Sequence, residues 1–390
     1  MITLNTADNA LKSFYLDAVT DALDCKANAF LAKIQRSTAD VVGKDVKKLV
    51  KYGINGGISA GTEDGSLPKA CSMNDVLFTS SLKNLYGTIE ISDKALRASA
   101  NNEGAFVNIL NNEMQELIKS ASFNFGRMLY GDGTGKIATI TGADEGGHCF
   151  PVDNVVGLVE GMCVELITAD GMKIPNGSGS YIARVDRENK KAVISCNQPL
   201  LGTLTGAGIY VQGSYGNELT GLKAIFDNDK LYGVNRADKP ALQPYKKDEV
   251  GEIDENTIQT AMDQIEEVSG RQVNLIVCSW GVRRALINYF KQYKAVMPSM
   301  ELEGGFKALS FNGVPVVADR FCPEGTMYLL NTDDFKICQL CDWKWLEGED
   351  GKILKQIPGK PVYTATLVKY AELMCERPNA QGRLTGITEA

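Results

Sequence analysis

The chain has 390 residues, of which 44% are hydrophobic and 23% are charged, and its formal net charge is −7. This length exceeds one typical hydrophobic core, so we expect two or three packed units. The acidic balance argues against sequence-independent nucleic-acid binding by the bulk of the chain, and no apolar run approaches the roughly 20 residues of a membrane-spanning helix. The first residues have neither the basic flank nor the apolar core of an export signal, so we expect synthesis in a cytoplasm.

Histidine, the side chain most often used for acid–base catalysis near neutral pH, is scarce in this sequence. A single histidine, His148, accompanies ten cysteines. Histidine is the commonest general acid or base near neutral pH and a frequent zinc ligand, so its scarcity leads us to predict no catalytic residue and no metal site. The cysteines are irregularly spaced, which indicates reduced, mostly buried thiols and no disulfide framework. We also predict no cofactor.

Two short motifs resemble functional sites but fit them poorly. Cys338 and Cys341 have the C-x-x-C spacing of a redox dithiol or half a zinc site, yet their flanks alternate as a strand does and no second pair is near. A thiol-redox enzyme that uses this pair stays open as an alternative from another class. Residues 131–136 resemble a phosphate-binding loop, but the spacing is one residue short and the segment follows a helix. We interpret that segment as a helix stop.

The first 90 residues predict a helix and then an extended arm. Apolar residues recur at three- and four-residue steps from about residue 8 to residue 35, which predicts one long amphipathic helix. Residues 46–52, 76–82 and 86–91 then predict strands, with a glycine-rich tip after the first of them. A hairpin of this length cannot bury both faces by itself. It is either a mobile surface loop or an arm that lies on a neighbouring subunit.

The rest of the chain alternates between helical and strand-rich regions. An apolar stripe predicts a helix of about seven turns over residues 105–130. Residues 142–216 are rich in turns and predict a small, inserted all-β barrel with strands at 162–168, 181–185, 192–196 and 209–211. After residue 218 the pattern is mixed α/β: Asp254 caps a helix that ends at Gly270, and Asn312-Gly313 predicts a hairpin turn.

The order of these elements resembles the tailed-bacteriophage major capsid protein with the Hong Kong 97-like fold. Each local match is short, but the fixed order of the pieces is specific. The matching segments are Ile89-Glu90-Ile91-Ser92, Leu129-Tyr130-Gly131-Asp132-Gly133-Thr134-Gly135, Phe311-Asn312-Gly313-Val314-Pro315-Val316-Val317, Pro323-Glu324-Gly325-Thr326 and Arg377-Pro378-Asn379-Ala380-Gln381-Gly382.

The resemblance implies an α+β, Hong Kong 97-like capsid fold. It would have a long spine helix, an extended β-hairpin loop, an axial α/β domain and an inserted small β-barrel domain. The implied boundaries are 1–38 for an N-terminal helical arm, 39–91 for the extended loop, 92–141 with 332–390 for the peripheral domain, 142–217 for the inserted β domain and 218–331 for the axial domain. The insertion departs from the minimal family pattern. The long charged N-terminal scaffolding segment of some members has no counterpart in these residues, so we expect either that a separate scaffolding protein assists or that a leader was removed before this numbering begins.

The same resemblance implies a structural protein and not an enzyme. Its partners would be copies of itself in homo-pentamers and homo-hexamers, together with scaffolding, portal and decoration proteins. Packaged double-stranded DNA would be enclosed without sequence-specific binding, and no membrane would be involved. The protein would be located in the virion capsid after assembly in the bacterial host cytoplasm. An encapsulin-like nanocompartment shell protein is the nearest alternative.

The extended loop carries the predicted assembly interface. Its lysines could meet acidic groups of an adjacent subunit, although a solvated basic strand is an equally open interpretation. Some family members join a loop lysine to an asparagine of another subunit, for which Lys48 or Lys51 with Asn379 would be the candidates. The predicted interface residues are Lys44, Lys47, Lys48, Lys51, Tyr52, Asn55, Gly56 and Gly57.

Overall fold

The computed structural model describes residues 28–72, 74–94, 103–174, 177, 179–196, 204–293, 299–302, 306–348 and 351–390. Within these residues the α-helices are α1 (Glu103–Met128), α2 (Leu222–Asp227), α3 (Glu255–Ser269) and α4 (Trp280–Tyr293). Short 3-10 helices lie at Leu31–Lys33, Arg236–Asp238, Pro240–Leu242, Thr332–Asp334 and Pro378–Ala380. None of the helices in these ranges is long and apolar enough to cross a membrane.

The strands are numbered in chain order. They are β1 (Gln35–Ser37), β2 (Val41–Val42), β3 (Asp45–Lys51), β4 (Asp75–Ser81), β5 (Lys83–Ser92), β6 (Lys136–Thr139), β7 (Cys149–Pro151), β8 (Cys163–Ile167), β9 (Ser180–Asp186), β10 (Lys191–Ser195), β11 (Gly208–Val211), β12 (Lys230–Leu231), β13 (Val234–Asn235), β14 (Tyr245–Lys247), β15 (Leu275–Cys278), β16 (Ser299–Leu302), β17 (Phe306–Phe311), β18 (Val314–Ala318), β19 (Met327–Leu330), β20 (Phe335–Trp345), β21 (Lys355–Gln356), β22 (Val362–Cys375) and β23 (Gly382–Leu384).

The prediction of one helix over residues 8–35 is wrong for residues 28–35, which are not α-helical. Residues 8–27 lie outside the described residues. Asn28 Oδ1 accepts hydrogen bonds from the backbone N–H groups of Phe30 and Leu31 and starts a single 3-10 turn. The chain then runs as β1, parallel to β20. Phe30 is fully buried, with its ring centroid 5.0 Å from that of Phe335. Packing against a strand 300 residues away therefore overrides the local helical pattern.

The predicted long helix is confirmed as α1, which packs on a sheet built from distant strands. β20 and β22 pair antiparallel, and β5 pairs with β22 from Lys83 to Ser92. Met114, Ile118 and Phe125 of α1 are buried in the same hydrophobic cluster as this sheet. This helix and sheet form the body to which the other regions attach.

The inserted β region closes into a barrel. Its strand order is β6-β11-β8-β9-β10-β7, and the bridge between Ile140 and Val152 joins the two ends. Asp153 strengthens that closure because its backbone N–H donates to Thr139 O at 3.0 Å and its Oδ1 accepts from Thr139 N at 2.6 Å. The four predicted strands are present as β8 to β11, whereas β6 and β7 were not predicted. The interior has a hydrophobic cluster of its own, which includes Leu158.

The barrel leaves and rejoins the body at one place, which we call the barrel root (residues 129–135 and 214–222). The backbone N–H of Gly216 donates to Thr134 O at 2.8 Å, and that of Leu222 donates to Leu129 O at 2.7 Å. Gly221 is required by the close approach, since a Cβ there would lie 2.4 Å from the carbonyl oxygen of Met128. Entry and exit of the barrel are thus adjacent.

A buried ion pair lies beside the barrel root. Arg127, on the last turn of α1, donates from Nη1 to Glu218 Oε2 at 3.0 Å and from Nη2 to Glu218 Oε1. Both side chains are buried. A bidentate pair of this kind fixes the orientation of both groups as well as their distance.

The last large region is a seven-stranded mixed sheet in the order β14-β23-β19-β15-β18-β17-β16. Its helix α3 follows the predicted caps: Asp254 Oδ1 accepts from Thr257 N at 2.7 Å, and Gly270 has a left-handed φ of 64°. The Asn312-Gly313 turn, with φ values of 48° and 81°, joins β17 and β18 as predicted. The domain boundaries given above stay predictions.

Candidate assembly interface

The extended arm is a two-stranded ribbon with one packed face. β3 and β4 pair antiparallel from Asp45–Ser81 to Lys51–Asp75. Val46, Val50 and Phe78 alternate onto the inner face and are buried in the core cluster of the body. This alternation follows from the period of two in strands, which places every second residue on the same face.

Tyr232 fastens the inner face of this ribbon to the body. Its ring centroid lies 5.4 Å from that of Phe78, and its carbonyl oxygen accepts from the backbone N–H of Thr79 at 2.8 Å. Its hydroxyl donates to Leu373 O at 2.9 Å and accepts from Cys375 N at 3.1 Å. Tyr232 therefore joins β4 to β22, the central strand of the body sheet.

Lys48 lies on the inner face and is paired within its own chain. Its Nζ lies 3.1 Å from Asp40 Oδ1 and 3.2 Å from Glu376 Oε1, and Lys336 shares the same Glu376 carboxylate at 2.8 Å. Burial lowers the pKa of Lys48, but the hydrogen bonds and charges of Asp40 and Glu376 outweigh it and hold the pKa above its usual value. Lys48 thus anchors the base of the ribbon.

The outer face of the ribbon has no covering element within the described chain. Leu49 and Leu77 are cross-strand partners, and their exposed fractions are 56% and 52%. Lys47 and Lys51 flank this pair on the same face and are exposed, as is Lys44 just before β3. Asp45 and Asp75, the latter opposite Lys51, lie on the same face, so the apolar pair is surrounded by charged groups of both signs.

The two strands lead into an irregular tip, described for residues 52–72 and 74, which closes at its base. The backbone N–H of Tyr52 donates to Asn74 O at 2.9 Å, while Lys239 Nζ donates to the Tyr52 hydroxyl and lies 4.7 Å from the ring centroid. Further out, Asn55 Oδ1 accepts from Gly57 N at 2.9 Å and forms a local turn. The base of the tip is therefore held by the body and the outer part by its own turns.

Sequence reasoning missed the apolar residues of the tip. Ile54, Ile58 and Leu67 have exposed fractions of 87%, 86% and 90%, which are the highest of any large hydrophobic side chain among the described residues. The signal available was three large aliphatic residues in a glycine-rich loop with no periodic pattern. A single exposed aliphatic residue is ordinary on a protein surface, so what distinguishes the tip is that three of them occur in one loop.

The predicted interface residues differ in their availability. Lys44, Lys47, Lys51, Asn55 and Gly56 are exposed. Lys48 and Tyr52 are half-buried and bound to groups of their own chain, and Gly57 is also half-buried. Asn379 is half-buried in the 3-10 helix Pro378–Ala380. The assignment of the eight residues to an interface stays a prediction, as does a crosslink to Asn379.

The structure gives little support to a redox role for the cysteine pair. Cys338 is buried in β20, and burial raises its pKa to about 11. Cys341 follows after a register shift between β20 and β22. A raised pKa keeps the thiol protonated at neutral pH, whereas a reactive dithiol needs a thiolate. The described residues contain no group of three or more His, Cys, Asp and Glu side chains that could hold a metal ion.

The second short motif and the single histidine both lie in turns. Residues 131–136 end α1 and enter the barrel, and Asp132 Oδ1 accepts from Thr134 N at 3.0 Å. His148 has a left-handed φ of 60°, and its Nδ1 lies 3.6 Å from Asp144 Oδ2. Asp144 also accepts from the backbone N–H of His148, which makes the loop a local hydrogen-bonded turn.

No protein-family model matches this sequence, and no curated protein matches it. Solved structures do match the fold. A chain of the cyanophage A-1(L) capsid asymmetric unit aligns with 95% of this chain and 92% of its own length, at a TM-score of 0.58 and 11% sequence identity. The chain has the Hong Kong 97-like capsid fold. The predicted α+β fold class is therefore confirmed.

Two further matches score lower. The capsid of a native GTA particle matches 93% of this chain and 91% of its own at a TM-score of 0.47 and 12% identity. The SrpI encapsulin complex from Synechococcus elongatus matches only 42% of this chain and 59% of its own at a TM-score of 0.31 and 12% identity. The Hong Kong 97-like assignment consequently rests on the cyanophage capsid chain.

Proposed function

We propose that this chain is the major capsid subunit of a tailed phage, which self-assembles into the pentamers and hexamers of an icosahedral head. The observation that carries the proposal is the likeness to a phage capsid chain over almost the full length of both proteins. The chain then acts by binding its own copies, and no catalytic step is needed. Its location is the virion capsid, after assembly in the host cytoplasm.

The arm of residues 45–81 provides the contacts between subunits. Subunits that associate head to tail close into rings when the rotation between neighbours divides a full turn. An arm laid on a neighbour contributes apolar and strand-like contact at the cost of ordering it. Burying Ile54, Ile58 and Leu67 would contribute on the order of 1.5 to 3 kcal/mol each before that cost. Modest contacts suffice because every subunit meets several neighbours at once.

The head encloses double-stranded DNA without binding it tightly. The net charge of −7 gives the wall a long-range repulsion for phosphate, which favours packing and release over adhesion. Scaffolding, portal and decoration proteins are further partners that a head of this type needs. The exposed lysines Lys44, Lys47 and Lys51 are directed at acidic groups of the neighbouring subunit in this proposal.

Electron microscopy of the purified full chain tests the proposal. Shells, rings or tubes are expected, and monodisperse particles of 42.3 kDa at high concentration would contradict it. Particles that protect double-stranded DNA from nuclease support the phage head. Particles filled with a cargo enzyme would favour the encapsulin-like nanocompartment instead.

The role of the arm has its own test. In the double variant Ile54→Ser/Leu67→Ser we expect loss of assembled particles at concentrations where the wild type assembles, with an unchanged circular-dichroism spectrum. Met172→Ser is the matched control, because Met172 is an exposed apolar residue of the barrel. If the double variant assembles like the wild type, the assignment of the tip to an interface is wrong even when the capsid proposal holds.

A further inference from the structure

Two Asn-Gly pairs of the described chain differ in how firmly the fold holds the asparagine. Asn55-Gly56 belongs to the tip of the arm, and Asn312-Gly313 forms the turn between β17 and β18; both pairs are exposed. Asparagine is a chemically labile residue, and a glycine after it leaves its amide open to attack because no side chain shields the next backbone nitrogen. In a third pair, at 176–177, the asparagine lies outside the described residues.

The tip leaves Asn55 free to react and polarises its side-chain amide. No residue from 52 to 72 belongs to a helix or a strand. Asn55 Oδ1 accepts from the backbone N–H of Gly57 at 2.9 Å, whereas no group of the described residues accepts from Asn55 Nδ2 or from the backbone N–H of Gly56. A donor on Oδ1 stabilises the negative charge that this oxygen gains when a nucleophile adds to the side-chain carbon Cγ. The neighbouring backbone nitrogen and the side-chain nitrogen are therefore both unrestrained, and the oxygen between them is already hydrogen-bonded.

The hairpin turn restrains Asn312 in two ways. Its backbone has a left-handed φ of 48°, and the turn is held between Phe311 and Val314, which pair across β17 and β18. Its Nδ2 also donates to Gln259 Oε1 on α3. Closing a ring between the next backbone nitrogen and the Asn312 side chain would rotate the peptide plane of the turn and break this hydrogen bond. The same dipeptide is thus restrained in the hairpin and free in the tip.

We propose that Asn55 is a site of spontaneous deamidation in the unassembled subunit, and that the fold selects it over Asn312. The backbone nitrogen of Gly56 gives its proton to a base and adds to Cγ of Asn55. The Nδ2 group takes up a proton and leaves as ammonia, which closes a succinimide ring. Water then opens the ring at either of its two carbonyls and leaves aspartate or isoaspartate at position 55. One water is consumed, one ammonia is released, and nothing is oxidised or reduced.

The product changes the tip where it is most apolar. A carboxylate appears next to Ile54 and close in sequence to Ile58, both of which are exposed, and isoaspartate also lengthens the main chain by one carbon. The effect on assembly rests on the proposed function, in which a neighbouring subunit covers the tip. Burying a carboxylate without a partner is unfavourable, so a converted subunit should join a shell less readily. The reaction then distinguishes aged free subunits from those already assembled.

Peptide mapping by mass spectrometry tests the proposal on the full chain, kept at mildly alkaline pH and below the concentration at which particles form. Position 55 should convert about ten times faster than position 312, the factor that corresponds to about 1.4 kcal/mol for the hydrogen bond and turn that Asn312 must give up. In guanidinium chloride, which unfolds the chain, the two rates should become similar. Equal rates in the folded chain, or a preference for Asn55 that persists in the denaturant, would overturn the selection by the fold.

Gly56→Ala tests the nucleophile. A Cβ at Gly56 would lie 3.4 Å from Cys71 Sγ, which is an ordinary contact distance, so the tip should keep its conformation. The added methyl group shields the backbone nitrogen, so conversion at position 55 should fall severalfold while conversion at position 312 stays as in the wild type. An unchanged rate at position 55, or a wild-type product that contains aspartate but no isoaspartate, would overturn the ring mechanism.

The rate in purified particles tests the link to assembly separately. Conversion at position 55 should be slower in particles than in free subunits, and equal rates would show that no neighbour covers the tip. The selection of Asn55 is a property of one chain, so it can fail while shells still form, and it can hold when they do not.

Discussion

The barrel and the arm are both all-β excursions from the same body, yet they differ in what completes them. The barrel joins its first and last strands through Ile140 and Val152 and fills its own interior. The arm buries one face on the body and leaves Leu49, Leu77 and the aliphatic residues of its tip in water. A closed ring removes the free edges of a sheet, whereas a ribbon keeps them. The comparison shows that the barrel buries its apolar cluster within one chain, whereas the arm leaves several apolar residues exposed, which is what the proposed contact with a second subunit would use.

The largest expected effect concerns the point where the barrel joins the body. Arg127→Met should lower the free energy of unfolding by about 3 to 5 kcal/mol, because it leaves the buried Glu218 carboxylate without its partner. Urea denaturation of the unassembled chain measures this loss. The control is Arg127→Met/Glu218→Leu, which removes both charges and should recover most of the stability. A single variant as stable as the wild type would show that the pair does not hold the root.

The next prediction compares the two regions directly. Leu158→Ala, in the barrel interior, should cost about 2 to 5 kcal/mol of stability because it leaves a cavity among buried neighbours. Leu49→Ala, on the outer face of the arm, should change the stability of the unassembled chain by less than about 0.5 kcal/mol. Both are measured by urea denaturation. A comparable loss from Leu49→Ala would mean that the arm is covered within its own chain.

The smallest expected effect lies at the base of the arm. Lys48→Met should cost about 0.2 to 1 kcal/mol, since the ion pairs with Asp40 and Glu376 are partly exposed. Salt screens such pairs, so the difference from the wild type should shrink in 1 M NaCl. Lys44→Met is the control because Lys44 is exposed. If both variants lose the same stability, the ion pairs of Lys48 do not anchor the arm.

Local chemistry was sufficient to predict many of the elements. The caps of α3, the Asn312-Gly313 turn and the long apolar stripe of α1 each depend on residues close in sequence. The strands β6 and β7 are short and are stabilised by pairing with other strands of the barrel, so no local sequence pattern predicted them. The prediction of the N-terminal helix failed at its C-terminal end for the same reason, because the chain there leads into β1, which pairs with the distant strand β20.

The candidate site residues also divide into those that the sequence could predict and those that only the fold reveals. The lysines of β3 could be found from composition, but only the fold reveals that Lys48 points inward to Glu376 while Lys47 faces outward. Ile54, Ile58 and Leu67 carry no periodic signal, and their importance lies in an exposure that sequence cannot give.

The entry and the exit of the barrel lie side by side at the barrel root, and this has an evolutionary consequence. Since Thr134 and Gly216 are hydrogen-bonded neighbours, the gap between them can be spanned by a tight turn or by any domain whose termini lie close together. A genetic exchange of the intervening residues would leave the covalent path of the body intact. The root is accordingly a joint at which lineages can gain, lose or replace a module, and at which a foreign domain could be grafted in the laboratory.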